Sequence, residues 1–98
     1  MTKEEAKEAI KESYGNSEYT DEIIKALEQF TWRNPQEPPK IDEYVLLSYS
    51  NCSLPDIGRY REDGKYYPGN DERSCESFGL IVDGWMPMPK VRRELGAE

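Results

Sequence analysis

Ninety-eight residues leave room for one domain with one core. A net charge of -7, from 20 acidic and 13 basic side chains, excludes nucleic-acid binding through the phosphates, which relies on lysine and arginine displacing counterions. Two cysteines, Cys52 and Cys75, and no histidine remove the usual zinc spacings, Cys/His nucleophile pairs and Ser/His triads together, so no cofactor and no catalysis are expected. Hydrophobic residues at 36% barely exceed charged ones at 34%, but seven tyrosines, two tryptophans and two phenylalanines supply the large side chains that a disordered chain lacks.

Thr2 and Glu5 form a capping box, and Ala6, Ala9, Ile10 and Ser13 then recur at helical spacing until Gly15. This predicts a first helix over 3–14 with a thin apolar face, flanked by solvated rows Lys3/Lys7/Lys11 and Glu4/Glu8/Glu12. Ser17 or Thr20 caps a second helix over 20–30, where Ile23, Ala26, Leu27 and Phe30 fall at i, i+3, i+4 and i+7 and Asp21 and Glu22 stand at the positive end. The charged start "MTKEEAKEAIKESYG" is unlike a signal peptide, and no apolar run approaches the roughly 18 residues that span a bilayer. The expectation is a cytoplasmic protein with free thiols, no membrane contact, and a monomeric or small homo-oligomeric state.

"NPQEPPK", Asn34 to Lys40, forces an extended linker, because each proline removes a donor and restricts its predecessor. The period then becomes two. In "EYVLLSYS", Val45, Leu47 and Tyr49 share one face and Tyr44, Leu46 and Ser48 the other, the mark of a central strand. "SNCSLPD" is a loop, and its sequon at Asn51 is idle in a cytoplasmic chain. "IGRYR", "EDGK" and "YY" make a hairpin, Pro68-Gly69 a type II turn, Asn70 to Ser77 an exposed excursion, and "FGLIVDGW" a last strand. The fold class is α+β, a single domain over residues 1–98. Its helical segment covers residues 1–31; a strand-rich segment over residues 32–90 supplies three or four antiparallel strands, covered on one face by the helices; and residues 91–98 form a fraying tail.

"DGWMPMPK", Asp83 to Lys90, concentrates an indole, two thioethers and two prolines. It reads as a plug: Trp85 buried against Ile81, Trp32 and the Leu27 to Phe30 face of the second helix, with Pro87 and Pro89 ending the sheet and Met86 or Met88 left partly open as a contact residue.

Trp32 ahead of a proline cluster, "YVLLSYS", "IGRYR", "DGKYY" and the closing "VDGWMPMP" stand in an order that resembles the family called domain of unknown function 551, found in phage and prophage proteins. That family closes on Trp-Met-Pro-Leu-Pro, and Met88 stands here for the leucine, a volume-conserving exchange. The resemblance spans about residues 32–89 and implies an accessory protein of a mobile element, without supplying a reaction, a ligand or catalytic residues.

Two functions follow as expectations. The first is a non-catalytic protein that binds and modulates a host protein, a defence component being one such target, through the acidic helices and exposed hairpin tyrosines; residues 1–30 carry eight acidic and four basic side chains. The alternative is a binder that sequesters a nucleotide or signalling ligand between Tyr60, Tyr66 or Tyr67 and Arg59 or Arg61, since paired guanidiniums beside aromatic rings suit a phosphate. Against it stands a plain edge hairpin whose arginines pair with Glu62, Asp63 or Glu43. The candidate binding residues are therefore Arg59, Tyr60, Arg61, Tyr66, Tyr67 and Met86.

Overall fold

The computed structural model describes residues 2–15 and 17–88; Pro89 and the tail 91–98 lie outside them. The order is α1 (Lys3–Tyr14), α2 (Glu18–Gln29), β1 (Tyr44–Tyr49), β2 (Asp56–Tyr60), β3 (Tyr66–Pro68), a short 3-10 turn (Glu76–Phe78) and β4 (Val82–Pro87). The fold is α+β: two N-terminal helices packed with a four-stranded antiparallel sheet ordered β3-β2-β1-β4. No helix among the described residues is long and apolar enough to cross a membrane.

Local chemistry sets the helix boundaries. In α1 the Thr2 hydroxyl accepts from the Glu5 N–H at 3.1 Å, and the Glu5 carboxylate accepts from the Thr2 N–H at 3.0 Å, so two orphan donors are satisfied reciprocally. Ser17, not Thr20, caps α2, its hydroxyl accepting from the Thr20 N–H. The thin face of α1 is used at two positions: Ala6 and Ile10 are completely buried, while Ala9 is half-buried. Lys3 adds a hydrogen bond to the Phe30 carbonyl and Lys7 an ion pair with Glu28 at 3.7 Å.

β1 is the central strand, and its alternation sorts the core into two layers. Leu46, with Ile57 of β2 and Met86 and Met88, faces Ala6, Ile10, Ile23, Ala26 and Leu27 of the helices. Val45, Leu47 and Tyr49 face the other way and pack with Trp85 and Cys75. Among the described residues, neither α1 nor α2 contributes to this second layer. Its polar tethers come from the proline-bearing strap: the Trp85 indole N–H donates to the Glu37 carbonyl at 3.0 Å, and the Tyr66 hydroxyl donates to the Pro35 carbonyl at 2.8 Å. Arg33 pairs with Trp85 through both backbone bonds and stacks its guanidinium over the indole, 5.0 Å from the centroid. The strap therefore also pairs the outer edge of β4.

Several expectations are corrected here. Trp85 is buried, 6% exposed, but on the face opposite α2. Leu47 is its register partner, whereas Leu46 pairs with Met86; facing residues share a side, so Met86 takes the helix-side position that Trp85 was expected to fill. Met86 or Met88 was expected partly open, yet they are 0% and 7% exposed, while Ile81, expected in the plug, is 58% exposed. Pro87 lies within β4, opposite Val45, a position allowed because β4 is an edge strand. The last strand starts at Val82 rather than Phe78, and the polar excursion is partly interior, with Ser74 and Cys75 buried. The turn after β3 closes from the Asp71 N–H to the Pro68 carbonyl, which puts Gly69, φ 53°, at its second position instead of the third that type II requires.

Candidate functional site

The β2–β3 hairpin divides the Arg/Tyr set in two. Arg59 lies opposite Tyr67 and Tyr60 opposite Tyr66, so strand parity places Arg59, Arg61 and Tyr67 on one side and Tyr60 with Tyr66 on the other. Both guanidiniums flank the Tyr67 ring, at 5.6 Å for Arg59 and 5.4 Å for Arg61. Tyr60 and Tyr66 stack at 4.9 Å between centroids with their planes tilted by 58°. A ligand gripped by both arginines therefore meets Tyr67 alone among the three tyrosines expected to hold it.

Most of this cationic capacity is already engaged. Arg59, its side chain only 12% exposed, donates to the Gly69 carbonyl and, at 3.3 Å, to the Asp71 carbonyl. Its Nε lies 3.9 Å and that of Arg61 3.6 Å from the Asp42 carboxylate. Asp42 replaces the expected partners Glu62, Asp63 and Glu43. It reaches this position because it adopts a left-handed φ of 65° and its N–H donates to the Tyr60 carbonyl, pinning the segment before β1 alongside the end of β2.

The hairpin tyrosines are similarly tied down. The Tyr67 hydroxyl donates to Asp63 at 2.5 Å, which holds the Asp63 carboxyl below its ordinary range and pushes the Tyr67 phenol up. Burial, then the neighbouring Tyr60, raises Tyr66 to about 12. Met86, the sixth candidate, is completely buried, so it offers no surface to a partner.

A separate concavity lies elsewhere. A cleft of about 630 Å³ opens between α1 and one end of the sheet, lined by Glu5, Glu8, Ala9 and Glu12 of α1, by the loop from Ser50 to Ser53, and by Tyr49 and Asp83. Four carboxylates line it and none of its lining residues is basic. Sequence reading grouped Glu4, Glu8 and Glu12 as one solvated row; the cleft instead takes positions i, i+3, i+4 and i+7 counted from Glu5, the spacing of a helix face. That spacing is visible in the sequence, but the loop and Asp83 that complete the cleft come from far along the chain.

The surroundings of Cys75 work against its activation. Cys75 is buried with its sulfur 3.8 Å from the Tyr49 hydroxyl, and burial pushes the thiol up to about 11. Cys52, half-buried at the cleft, sits 3.8 Å from the Leu54 carbonyl. Among the described residues no group of histidine, cysteine or carboxylate side chains is arranged to hold a metal ion. Comparison with protein-family models, curated proteins and solved structures finds no match to this chain.

Proposed function

We propose that this chain is a small, acidic, non-catalytic accessory protein of phage or prophage type, which binds and modulates a host protein in the host cytoplasm, a defence component being one such target. The observation that carries the reading is the cleft beside α1, where Glu5, Glu8 and Glu12 of one helix face line the wall and none of the described lining residues is basic. Added to a net charge of -7, such a surface steers a basic partner and disfavours acidic ones, which yields fast association and selectivity. The phage attribution rests on the resemblance of residues 32–89. Sequestration of a nucleotide at the hairpin is the weaker reading, because a phosphate must displace Asp42 and two backbone carbonyls from Arg59 and Arg61.

The test is affinity capture from host lysate with the full chain, at low and moderate salt, beside a Glu8→Gln/Glu12→Gln variant. Both glutamates are exposed, so the variant keeps the fold. A stoichiometric protein partner, lost with the double substitution and weakened by salt, is the expected outcome. Recovery of no such partner, or equal recovery by both forms, counts against it. A thermal-shift panel of nucleotides addresses the second reading: a ligand at 100 times its Kd adds about 2.7 kcal/mol, and a flat response removes it.

A further inference from the structure

Asp63 and Gly64 stand at the apex of the β2–β3 hairpin. The Gly64 N–H donates to the Arg61 carbonyl at 2.9 Å and the Arg61 N–H to the Lys65 carbonyl at 3.0 Å, so the chain turns over Glu62 and Asp63 and leaves the turn through Gly64 at a φ of 83°. That left-handed step selects glycine here. It also has a chemical consequence. With no side chain on residue 64, nothing shields its backbone nitrogen from the Asp63 carboxyl, and an aspartate followed by glycine is the one most prone to cyclise on its own main chain.

The hairpin holds each group that this cyclisation uses. Asp63 Oδ1 accepts from the Lys65 N–H at 3.1 Å and Oδ2 from the Tyr67 hydroxyl at 2.5 Å, while the Gly64 nitrogen is engaged with Arg61. A carboxylate with a donor on each oxygen stays ionised, and an ionised carboxyl is a poor electrophile. Both residues are nevertheless exposed, so water reaches the linkage. The other aspartyl-glycine of the chain, Asp83-Gly84, is protected differently: it lies inside β4, with Gly84 buried opposite Ser48 of β1. There the sheet fixes the backbone, whereas at the hairpin apex one side-chain hydroxyl and one turn do so.

We propose that Asp63-Gly64 is a site of spontaneous aspartate isomerisation, and that the Tyr67 hydroxyl is the latch that sets its rate. Once Tyr67 lets go, Oδ2 takes a proton and the side chain rotates onto the Gly64 nitrogen. The N–Cγ bond forms, the C–O bond of the carboxyl breaks, and the hydroxyl leaves with the amide proton as water. Water then opens the five-membered imide. Opening at the Asp63 main-chain carbonyl breaks its bond to nitrogen and leaves an isoaspartyl residue of unchanged mass, whose main chain runs through Cβ. The extra backbone atom falls inside the turn that sets the Arg59–Tyr67 and Tyr60–Tyr66 pairs, so isomerisation removes the Tyr67–Asp63 bond and remodels the surface where Arg59 and Arg61 flank the Tyr67 ring. This chemistry is independent of the protein-binding reading.

The test incubates the full chain and Tyr67→Phe side by side in mildly acidic buffer, well below the thermal midpoint, with the urea-unfolded chain as the measure of an unprotected linkage. Digests are separated by reversed phase, and isoaspartate is located in each peptide by electron-transfer fragmentation. The Asp63 peptide should convert more slowly in the folded parent than in urea, and about fivefold faster in Tyr67→Phe than in the parent, the factor carried by one exposed hydrogen bond. The Asp83 peptide should convert in urea yet keep the parent's slow rate in Tyr67→Phe, which separates release of the latch from loosening of the whole fold. Equal rates at Asp63 in the parent and Tyr67→Phe, acceleration of both peptides together in Tyr67→Phe, or no isoaspartate at Asp63 in either folded form while the unfolded chain converts overturns the proposal.

Discussion

The two faces of the sheet are solved in different ways. On the helix side, apolar residues of α1, α2, β1, β2 and β4 meet in one layer, with the Lys3 bond to the Phe30 carbonyl and the Lys7–Glu28 ion pair at its margin. On the strap side the layer is built from Val45, Leu47, Tyr49, Trp85 and Cys75, and its cover is irregular chain held by a few polar tethers, the Trp85 and Tyr66 donors above all. A helix satisfies its own backbone, so it can cover a sheet with side chains alone. An extended strap cannot, and its carbonyls need partners from the surface they cover. The helix face is thus stabilised mainly by area removed from water, and the strap face by area plus a small number of specific bonds.

The sharpest way to break this comparison is at Trp85, which contributes both terms. Trp85→Ala should cost about 3–5 kcal/mol, and a share of that loss is the release of Glu37 and Arg33; a denaturant midpoint unchanged from the parent removes the assignment. On the helix side, Met86→Ala should cost about 2–5 kcal/mol by leaving a cavity, with hydrogen exchange in residues 33–40 following global unfolding instead of accelerating by itself.

Gly58 probes the seam between β2 and its neighbours. A Cβ there runs into the Tyr67 carbonyl oxygen and the Leu47 side chain, both far inside van der Waals contact, so Gly58→Ala should cost about 1–3 kcal/mol as overpacking, read by chemical denaturation. The smallest change is the most selective. Tyr66→Phe deletes only the hydroxyl that holds Pro35, worth about 0.5–1.5 kcal/mol, and should speed amide exchange in the strap while leaving α1 and α2 unaffected.

Alkaline pH distinguishes the faces as well. Tyr66 is raised from 10.0 to about 12 and Cys75 from 9.0 to about 11. Both groups titrate more easily in the unfolded chain, so the stability they contribute is complete below pH 9 and is lost as pH rises from 9 towards 12. The strap face should loosen first over that window. Tyr66→Phe should remove the portion between pH 10 and 12, a result measurable from denaturant midpoints in a pH series.

How much of this was legible in the chain follows the same division. The capping box at Thr2 and Glu5, the 3.6-residue spacing from Ile23 to Leu27 and the alternation of β1 are local signals that the structure keeps, although α2 runs Glu18–Gln29 and leaves Phe30 as an extended C-cap. The parity of "GRYR" likewise placed Arg59 and Arg61 together on one side. The packing of the helices on one face of the sheet, a long-range expectation, also held; what failed were particular side-chain pairings between distant segments. Trp85 was expected against α2, yet its pairing with Leu47, not Leu46, turned it to the strap. The arginines were matched to Glu62, Asp63 or Glu43, and Asp42, the neighbour of Glu43, took the place through a left-handed backbone residue that no local pattern announces.

Composition and periodicity by themselves determined two helices, a sheet, which side chains alternate along each strand, and a net negative charge without histidine. Tertiary structure alone decided which face the helices cover, that the proline segment closes the other, that Ser74 and Cys75 go inside, and that Glu5, Glu8 and Glu12 meet Asp83 across a cleft. The reason is geometric. Periodicity tells which residues travel together, but turning a strand over exchanges its two faces as whole sets, and only the register between β1 and β4 fixes which set meets the helices.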